Sequence, residues 1–195
     1  MKKHSKPLIL LLSLLLSVLS LSVCAASAAD KKMPAELQAV ADKAVNFASS
    51  CAKQLDGAWG DQHAALIASK KGKAFADYAK MRSVLSGLAA KKEAVYVYAL
   101  SPSGAVDKAP FLLTVDGSEK PDEYGTEFKW EAGFAAAWKG AATAAGHAWK
   151  DDKGKGLLIS AYAPVRDGKG NVVAVLGVDC PAPAASKYPD WVRAE

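Results

Sequence analysis

The patterning of the chain changes at Ala94, and this change limits the folds open to it. Upstream, in residues 34–55, apolar side chains recur at intervals of three and four, which predicts a long helix ending at Asp56-Gly57. A loop is expected at 59–61, and residues 63–91 are again mostly helical, as two shorter helices. Downstream of Ala94, helical periodicity gives way to strand-like patterning.

Stretches rich in β-branched and aromatic residues predict the strands that follow. They are residues 94–100, 111–116, 157–163 and 172–179, with a further short strand around 147–150. Residues 167–171 fit a hairpin turn, and residues 131–145 fit a helix. The order predicts an α+β domain with a five-stranded antiparallel sheet. The amino-terminal helix should cover one face, leaving a pocket on the other, roofed by residues 117–150.

Strand alternation divides the side chains of this sheet into a polar face and an apolar face. The polar positions are Tyr96, Tyr98, Thr114, Asp116, Ser160, Tyr162 and Asp179. The apolar positions are Val95, Val97, Leu113, Val115, Ile159, Ala161, Leu176 and Val178. Apolar walls with a few directed polar groups are typical of pockets for small polar ligands. The predicted ligand-binding residues are Tyr98, Asp116, Tyr124, Trp130, Trp149, Tyr162 and Asp179.

Several of these residues have a second interpretation. Asp179 ends an apolar strand, where it could contact a ligand, cap a turn, or pair with Arg166 or a lysine. Asp116 precedes Gly117 and Ser118, which favours an Asx-turn over a ligand contact. The aromatics of the insertion either enclose a ligand, including a cation over a ring face, or close a small core of their own. They are Tyr124, Phe128, Trp130 and Trp149.

The first 29 residues have the pattern of a secretory signal peptide. Three lysines precede an apolar run at residues 8–21, and Ala26-Ser27-Ala28 fits a cleavage site. Without those lysines the net charge of +5 falls to about +2, which does not argue for a nucleic-acid partner. No later apolar segment approaches the ~20 residues that cross a bilayer. Cys24 lies in the outline of a lipobox, so lipid attachment stays open as the alternative to its removal.

Removal of Cys24 leaves Cys51 and Cys180. An even number of cysteines in an oxidising compartment permits one disulfide. Cys51 also lies on the apolar face of the first helix, where a buried free cysteine acts as a small hydrophobe. The sequence leaves both states open.

Enzyme, metal and cofactor functions lack their sequence signatures. There is no G-x-S-x-G elbow, no phosphate-binding glycine-rich loop and no H-E-x-x-H pair. His63 and His147 are far apart and lack cysteine or carboxylate partners at metal spacing. We therefore expect neither catalysis, nor a metal, nor a cofactor.

Four segments in order resemble the extracytoplasmic Cache sensor domains, also called PDC or PAS-like, of bacterial signalling proteins. They are Tyr96-Val97-Tyr98, Phe111 with Val115-Asp116-Gly117, residues 160–167, and residues 172–179. The resemblance covers about residues 34–180. It implies a long amino-terminal helix on a five-stranded antiparallel sheet, a pocket for amino acids, organic acids or amines, and a ligand-ammonium role for Asp179. Family members usually have flanking membrane helices and an output domain, which are not evident in this sequence.

The sequence therefore predicts a signal peptide at 1–29, one Cache-like domain at 30–180 and a tail at 181–195. The expected function is small-metabolite binding by a periplasmic or secreted protein that presents its ligand state to a membrane-bound signalling partner. The alternative is a structural or interaction module with a degenerate pocket, either free or lipid-anchored, in which the aromatic tail around Tyr188 and Trp191 is a docking segment.

Overall fold

The computed structural model describes residues 32–193, which contain four α-helices and seven strands. The signal peptide and Cys24 lie outside the described residues. The helices are α1 (Ala35–Leu55), α2 (Ala58–Ser69), α3 (Tyr78–Ala89) and α4 (Ala132–Trp138). The strands are β1 (Tyr96–Pro102), β2 (Phe111–Asp116), β3 (Glu127–Phe128), β4 (Thr143–Asp151), β5 (Gly156–Arg166), β6 (Val172–Pro181) and β7 (Val192–Arg193).

The α+β class is confirmed, but the five-stranded antiparallel sheet is not matched in detail. One sheet has the order β3-β2-β1-β6-β5-β4-β7, and its five long strands pair antiparallel with one another. The two short edge strands were missed, and β7 makes the sheet mixed because it lies parallel to β4. Two-residue strands carry no alternation that a sequence pattern could reveal.

Two helix boundaries also differ from the prediction. The loop expected at 59–61 is helical, because α2 begins at Ala58, directly after Gly57. Gly57 has a φ of 80°, so the chain turns at one residue and needs no longer loop. The helix expected over 131–145 ends at Trp138, because the alanine-rich segment after it enters β4.

Apolar residues fill both faces of the sheet. The larger core lies between the helices and one face, and includes Leu37, Leu55, Val97, Ile159 and Leu176. A second core on the opposite face lies beneath α4, and includes Tyr98, Leu113, Phe134, Tyr162 and Val175. The first helix therefore covers one face, as expected, and α4 with its flanking loops covers the other.

A β-bulge reverses two of the predicted side-chain directions. The pairing of β1 with β2 shifts between Ala99 and Leu100, so Leu113 lies opposite Leu100 and packs in the core beneath α4. Thr114 turns to the helix side, where it bonds His63 of α2 at 2.8 Å. The prediction that Thr114 shares the polar face, with Leu113 opposite, is therefore wrong. An extra residue in one strand inverts the alternation beyond it.

Residues 181–193, predicted as a tail, pack with the rest of the chain as one unit. Ala182 and Ala185 are fully buried, and the Ala182 N–H donates to the Leu157 carbonyl at 2.7 Å. Lys187 and Tyr188 both donate to Glu36 of α1.

Within residues 32–193, no helix has the length and apolar character needed to span a membrane.

Candidate functional site

The candidate site lies on the sheet face opposite α1, around Asp179 of β6. The register places Asp179 opposite Tyr96 on β1 and opposite Ser160 on β5. Its neighbours therefore come from both adjacent strands, and residues from α4 and β4 complete the surroundings. We refer to Tyr98, Trp149, Ser160, Tyr162 and Asp179 as the Asp179 cluster.

Asp179 is a buried carboxylate, with 4% of the residue exposed. The Tyr98 hydroxyl donates to its Oδ1 at 3.2 Å. Within the described residues it has no ion-pair partner: Arg166, one partner considered from the sequence, donates instead to the Gly170 carbonyl at 2.9 Å. Burial raises the pKa of Asp179 to about 7, against the lowering effect of hydrogen bonds with Ser160 and Tyr98. The charges of Glu131 and Asp116 raise this pKa further.

Gly177 gives Tyr98 its position beside Asp179. The two residues are paired across β1 and β6, and a Cβ atom on Gly177 would lie 2.3 Å from a Tyr98 ring carbon. The ring therefore lies directly over the backbone of β6, with its hydroxyl reaching two residues along the strand. Burial, with the adjacent Asp179 charge, holds the pKa of the Tyr98 phenol well above its ordinary value. Tyr98 thus remains a hydrogen-bond donor at physiological pH.

Tyr162 and α4 close the other side of the cluster. The Tyr162 hydroxyl donates to Oε2 of Glu131, at the start of α4, over 3.1 Å. Phe134 packs edge-on to the Tyr162 ring with 4.7 Å between centroids. Gly133 allows this approach, since a Cβ there would lie 2.6 Å from the Tyr162 ring.

Trp149 of β4 joins the cluster by a hydrogen bond to Ser160. Its indole Nε1 donates to the Ser160 hydroxyl at 3.0 Å, and the ring is partly exposed. Trp149 therefore borders both the buried polar groups and solvent.

A second buried carboxylate, Asp151, lies beside the cluster. It accepts hydrogen bonds from the Tyr96 hydroxyl at 2.9 Å and from the Lys155 N–H at 2.8 Å. Lys153, in the same β4–β5 turn, lies 5.7 Å above the centre of the Tyr96 ring and pairs with Asp122 at 3.0 Å. Each of the two Asp151 oxygens therefore accepts a hydrogen bond.

The carboxylate of Asp116 stabilises the turn after β2 by accepting hydrogen bonds from residues of that turn. Its Oδ1 accepts from the backbone N–H and hydroxyl of Ser118, and its Oδ2 accepts from the Asp122 N–H at 2.8 Å. The bond to the residue two positions on is the Asx-turn considered from the sequence. Asp116 lies opposite Tyr98 in the sheet, so its charge reaches the cluster although its oxygens are occupied.

Tyr124 and Trp130 do not join the cluster. Tyr124 lies against Gly72 and packs edge-on to Tyr78, on the helical side of the molecule. Trp130 is 40% exposed and donates to the Val106 carbonyl at 2.8 Å. Tyr124 packs against the larger core and Trp130 stays largely exposed, so these two do not form the separate small core of the second interpretation either.

Two residues beside the cluster were not predicted from the sequence. Glu131 was read only as part of a helix, and Asp151 falls just past the short strand expected around 147–150. No local signal marks either one, because each reaches its tyrosine only through the packing of α4 or β4 on the sheet. Ser160 was placed on the polar face but was not proposed as a site residue.

A separate groove of about 590 Å³ lies between α1 and the start of β4. Its lining includes Met33, Asp42, Asn46 and Thr143, and none of the seven predicted ligand-binding residues. Within residues 32–193, no group of three or more histidine, cysteine or carboxylate side chains could hold a metal ion.

Cys51 and Cys180 are both buried free thiols in the structure. The bridge that the sequence left open is therefore not formed in it.

Comparison with known proteins gives matches among solved structures only: no family model and no curated protein matches the chain. The ligand-binding domain of the Campylobacter jejuni chemoreceptor Tlp3, in complex with L-norvaline, is 16% identical with a TM-score of 0.40. The periplasmic sensory domain of the C. jejuni chemoreceptor Tlp1 is 12% identical with a TM-score of 0.36. The ligand-binding domain of Mlp24 with asparagine is 17% identical with a TM-score of 0.34.

These matches cover 76%, 78% and 79% of this chain, in the same order. The chain in turn spans 61% of the Tlp3 domain and 64% of each of the other two. The solved structures similar to this chain are sensor domains of chemoreceptors, the kind of extracytoplasmic domain that its sequence resembles.

Proposed function

We propose that this protein is an exported sensor domain that binds a small metabolite at the Asp179 cluster without changing it chemically. Amino acids, carboxylates and amines are the classes considered from the sequence. The geometry favours a ligand with an ammonium group, an amino acid or an amine. The bound state would be presented to a membrane-bound signalling partner.

The observation that supports this proposal is the buried carboxylate of Asp179, which accepts hydrogen bonds but has no ion-pair partner among residues 32–193. An isolated charge in an apolar environment is costly, and a pKa near 7 means that Asp179 is partly neutral at physiological pH. A ligand ammonium group would supply the missing counter-charge. The nearby charges of Glu131 and Asp116 favour the same cation and disfavour an anion.

The walls of the cluster suit such a ligand. Tyr98, Tyr162 and Trp149 present aromatic rings, and a ring face attracts a cation within about 6 Å. Trp149, Tyr96 and Glu131 are partly exposed, so the cluster borders solvent on the side of β4 and α4. A ligand entering there would exchange the Tyr98–Asp179 hydrogen bond for its own.

Internal hydrogen bonds support the alternative, a structural or interaction module with a degenerate pocket. The cluster is tied together by contacts between its own members and with Glu131: Tyr98 to Asp179, Trp149 to Ser160 and Tyr162 to Glu131. If these bonds are permanent, the polar groups stabilise the fold and no ligand enters. The tail is a weak docking segment in this alternative, because its apolar residues already pack on the chain.

A thermal-shift screen of the purified protein against amino acids, amines, carboxylates and purines tests the proposal. A ligand at 100 times its Kd adds about 2.7 kcal/mol to the free energy of unfolding, which raises the melting temperature. We expect an ammonium-bearing hit that disappears in Asp179→Asn. The matched control is Asp107→Asn, which removes an exposed carboxylate paired with Lys139. Absence of any hit would favour the degenerate-pocket alternative.

Export is part of the proposal and has its own test. We expect the intact mass of the protein from its native host to correspond to cleavage after Ala28 or Ala29. A mass that retains Cys24 with added acyl chains would establish the lipoprotein alternative.

A further inference from the structure

Two buried thiols lie in the core between the first helix and the sheet. Cys51 lies in the buried stripe of α1 with Ala48 and Leu55, and none of it is exposed. Cys180 follows Leu176 and Val178 at alternate positions of β6, and all three belong to the core beneath the helices. Cys51 therefore enters the larger core from α1, and Cys180 enters the same core from β6.

Glu93 places both thiols at the same end of the sheet. Two residues before it, Lys91 donates to the side-chain oxygen of Gln54 at 3.1 Å, and Gln54 lies about one turn after Cys51 in α1. The charges of Glu93 and of Cys51 both act on the Cys180 thiol. Glu93 precedes β1, whose entry is fixed to β6 by a 2.7 Å bond from the Val95 N–H to the Asp179 carbonyl. Cys180 is the next residue along β6, so the segment that enters β1 runs beside both cysteine-bearing elements.

We propose that Cys51 and Cys180 form a disulfide that joins α1 to β6 in the exported protein. The two thiols give up two protons and two electrons as the S–S bond forms. A disulfide-bearing oxidant, either a dithiol oxidase or glutathione disulfide, accepts the electrons and is reduced to two thiols. The inference rests on the proposed export, because such oxidants act in extracytoplasmic compartments, and it does not depend on ligand binding.

Burial determines when this bond forms. Desolvation raises the pKa of the Cys180 thiol to about 12 and also raises that of Cys51, so the reactive thiolates are scarce in the folded protein. Oxidation therefore takes place while the chain is still folding. Once formed, the bond is shielded from reductant by the same core.

The bond would link α1 directly to the strand that carries Asp179. Asp179 and Cys180 are neighbours whose side chains face opposite sides of the sheet. The disulfide therefore fixes the position of the site strand relative to the long helix, whether or not a ligand is present.

Refolding the full chain in two redox conditions tests the inference without requiring a ligand. The denatured protein is refolded with a glutathione redox pair or with excess reductant, then alkylated and digested. We expect the oxidised sample to contain one peptide pair joined through Cys51 and Cys180, and to melt roughly 5–15 °C above the reduced sample. The Cys51→Ala and Cys180→Ala variants should each lose this pair and the redox-dependent difference in melting temperature.

The inference is overturned if folded protein from the oxidising refold yields Cys51 and Cys180 as separate alkylated peptides. A bond from either one to Cys24 would also overturn it. If the alanine variants fold poorly, the peptide map of the unsubstituted protein still decides the question.

Discussion

At the scale of single residues, Asp179 makes stability fall as pH rises. Its pKa is about 7 in the folded chain against an ordinary 3.8, so the folded state holds a proton that the unfolded state releases. The stabilisation is complete below pH ~4 and is lost as pH rises through 7, by up to about 4 kcal/mol. We expect Asp179→Asn, which stays neutral, to be more stable than the unsubstituted protein at pH 8 and similar to it at pH 4.5. Denaturant unfolding at the two pH values measures this, and an equal difference at both would contradict it.

His63 has the opposite effect to Asp179 and makes stability rise as pH rises. Burial lowers its pKa from 6.5 to about 4, so the unfolded state binds the proton more readily. The stability that it contributes is complete above pH ~6.5 and is lost as pH falls through 4, by up to about 3 kcal/mol. We expect His63→Gln, which can keep a hydrogen bond to Thr114, to lose less stability between pH 7 and pH 4.5. The comparison uses the change in the free energy of unfolding between the two pH values in each protein, because the substitution also shifts this free energy by a constant amount at every pH.

Single residues also show how far a sequence can predict a site of this kind. Tyr98, Tyr162 and Asp179 were identified by alternation along strands, and the structure brings them together with Trp149. Tyr124 and Trp130 were selected for their aromatic character in the insertion, and the structure places them elsewhere. An irregular loop has no period from which a side-chain direction can be derived, whereas a strand does.

At the scale of elements, the contact between β1 and β6 depends on a glycine. We expect Gly177→Ala to cost about 1–3 kcal/mol, because the added methyl group overlaps the Tyr98 ring and forces it away from Asp179. The matched control is Gly146→Ala on β4, where a Cβ meets nothing within 4 Å. It should leave stability unchanged or raise it by about 0.5 kcal/mol. Equal effects of the two substitutions on urea unfolding would show that Tyr98 does not require this glycine.

The bulge in β2 shows where prediction of elements fails. The bounds of β2 were predicted correctly, yet the faces of Leu113 and Thr114 were reversed. Composition and periodicity locate a strand, whereas a bulge depends on how the strand pairs with its neighbour. The His63–Thr114 bond could not be anticipated for the same reason.

At the scale of the whole molecule, the carboxyl-terminal segment is part of the domain. We expect deletion of residues 182–195 to lower the free energy of unfolding by more than about 2 kcal/mol, because it removes buried Ala182 and Ala185 together with β7. As the control, Glu36→Gln removes only the exposed negative charge that pairs with Lys187, keeps an oxygen that can accept from Tyr188, and should change the melting temperature little. A truncated chain that unfolds like the full chain would contradict this and restore a free docking tail.

The sequence correctly predicted the α+β class and a sheet covered by the first helix. It did not predict the two short edge strands or the packing of the carboxyl-terminal segment. Long amphipathic and alternating segments fix which faces are buried, so the helix-covered sheet was expected. The tail and the edge strands have few residues and gain their conformation from contacts with β4, β2 and α1. Such contacts leave no pattern in the sequence.

The most direct test of the Asp179 site is calorimetric titration of an ammonium-bearing ligand as a function of pH. Binding a cation requires the ionised carboxylate, so a site with a pKa near 7 should release close to one proton per ligand at pH 6. We expect the Kd to fall about tenfold from pH 5 to pH 6 and to level off above pH 7. In Asp179→Asn this pH dependence should vanish along with most of the affinity. A Kd that is independent of pH, or unchanged in Asp179→Asn, would contradict the proposed site.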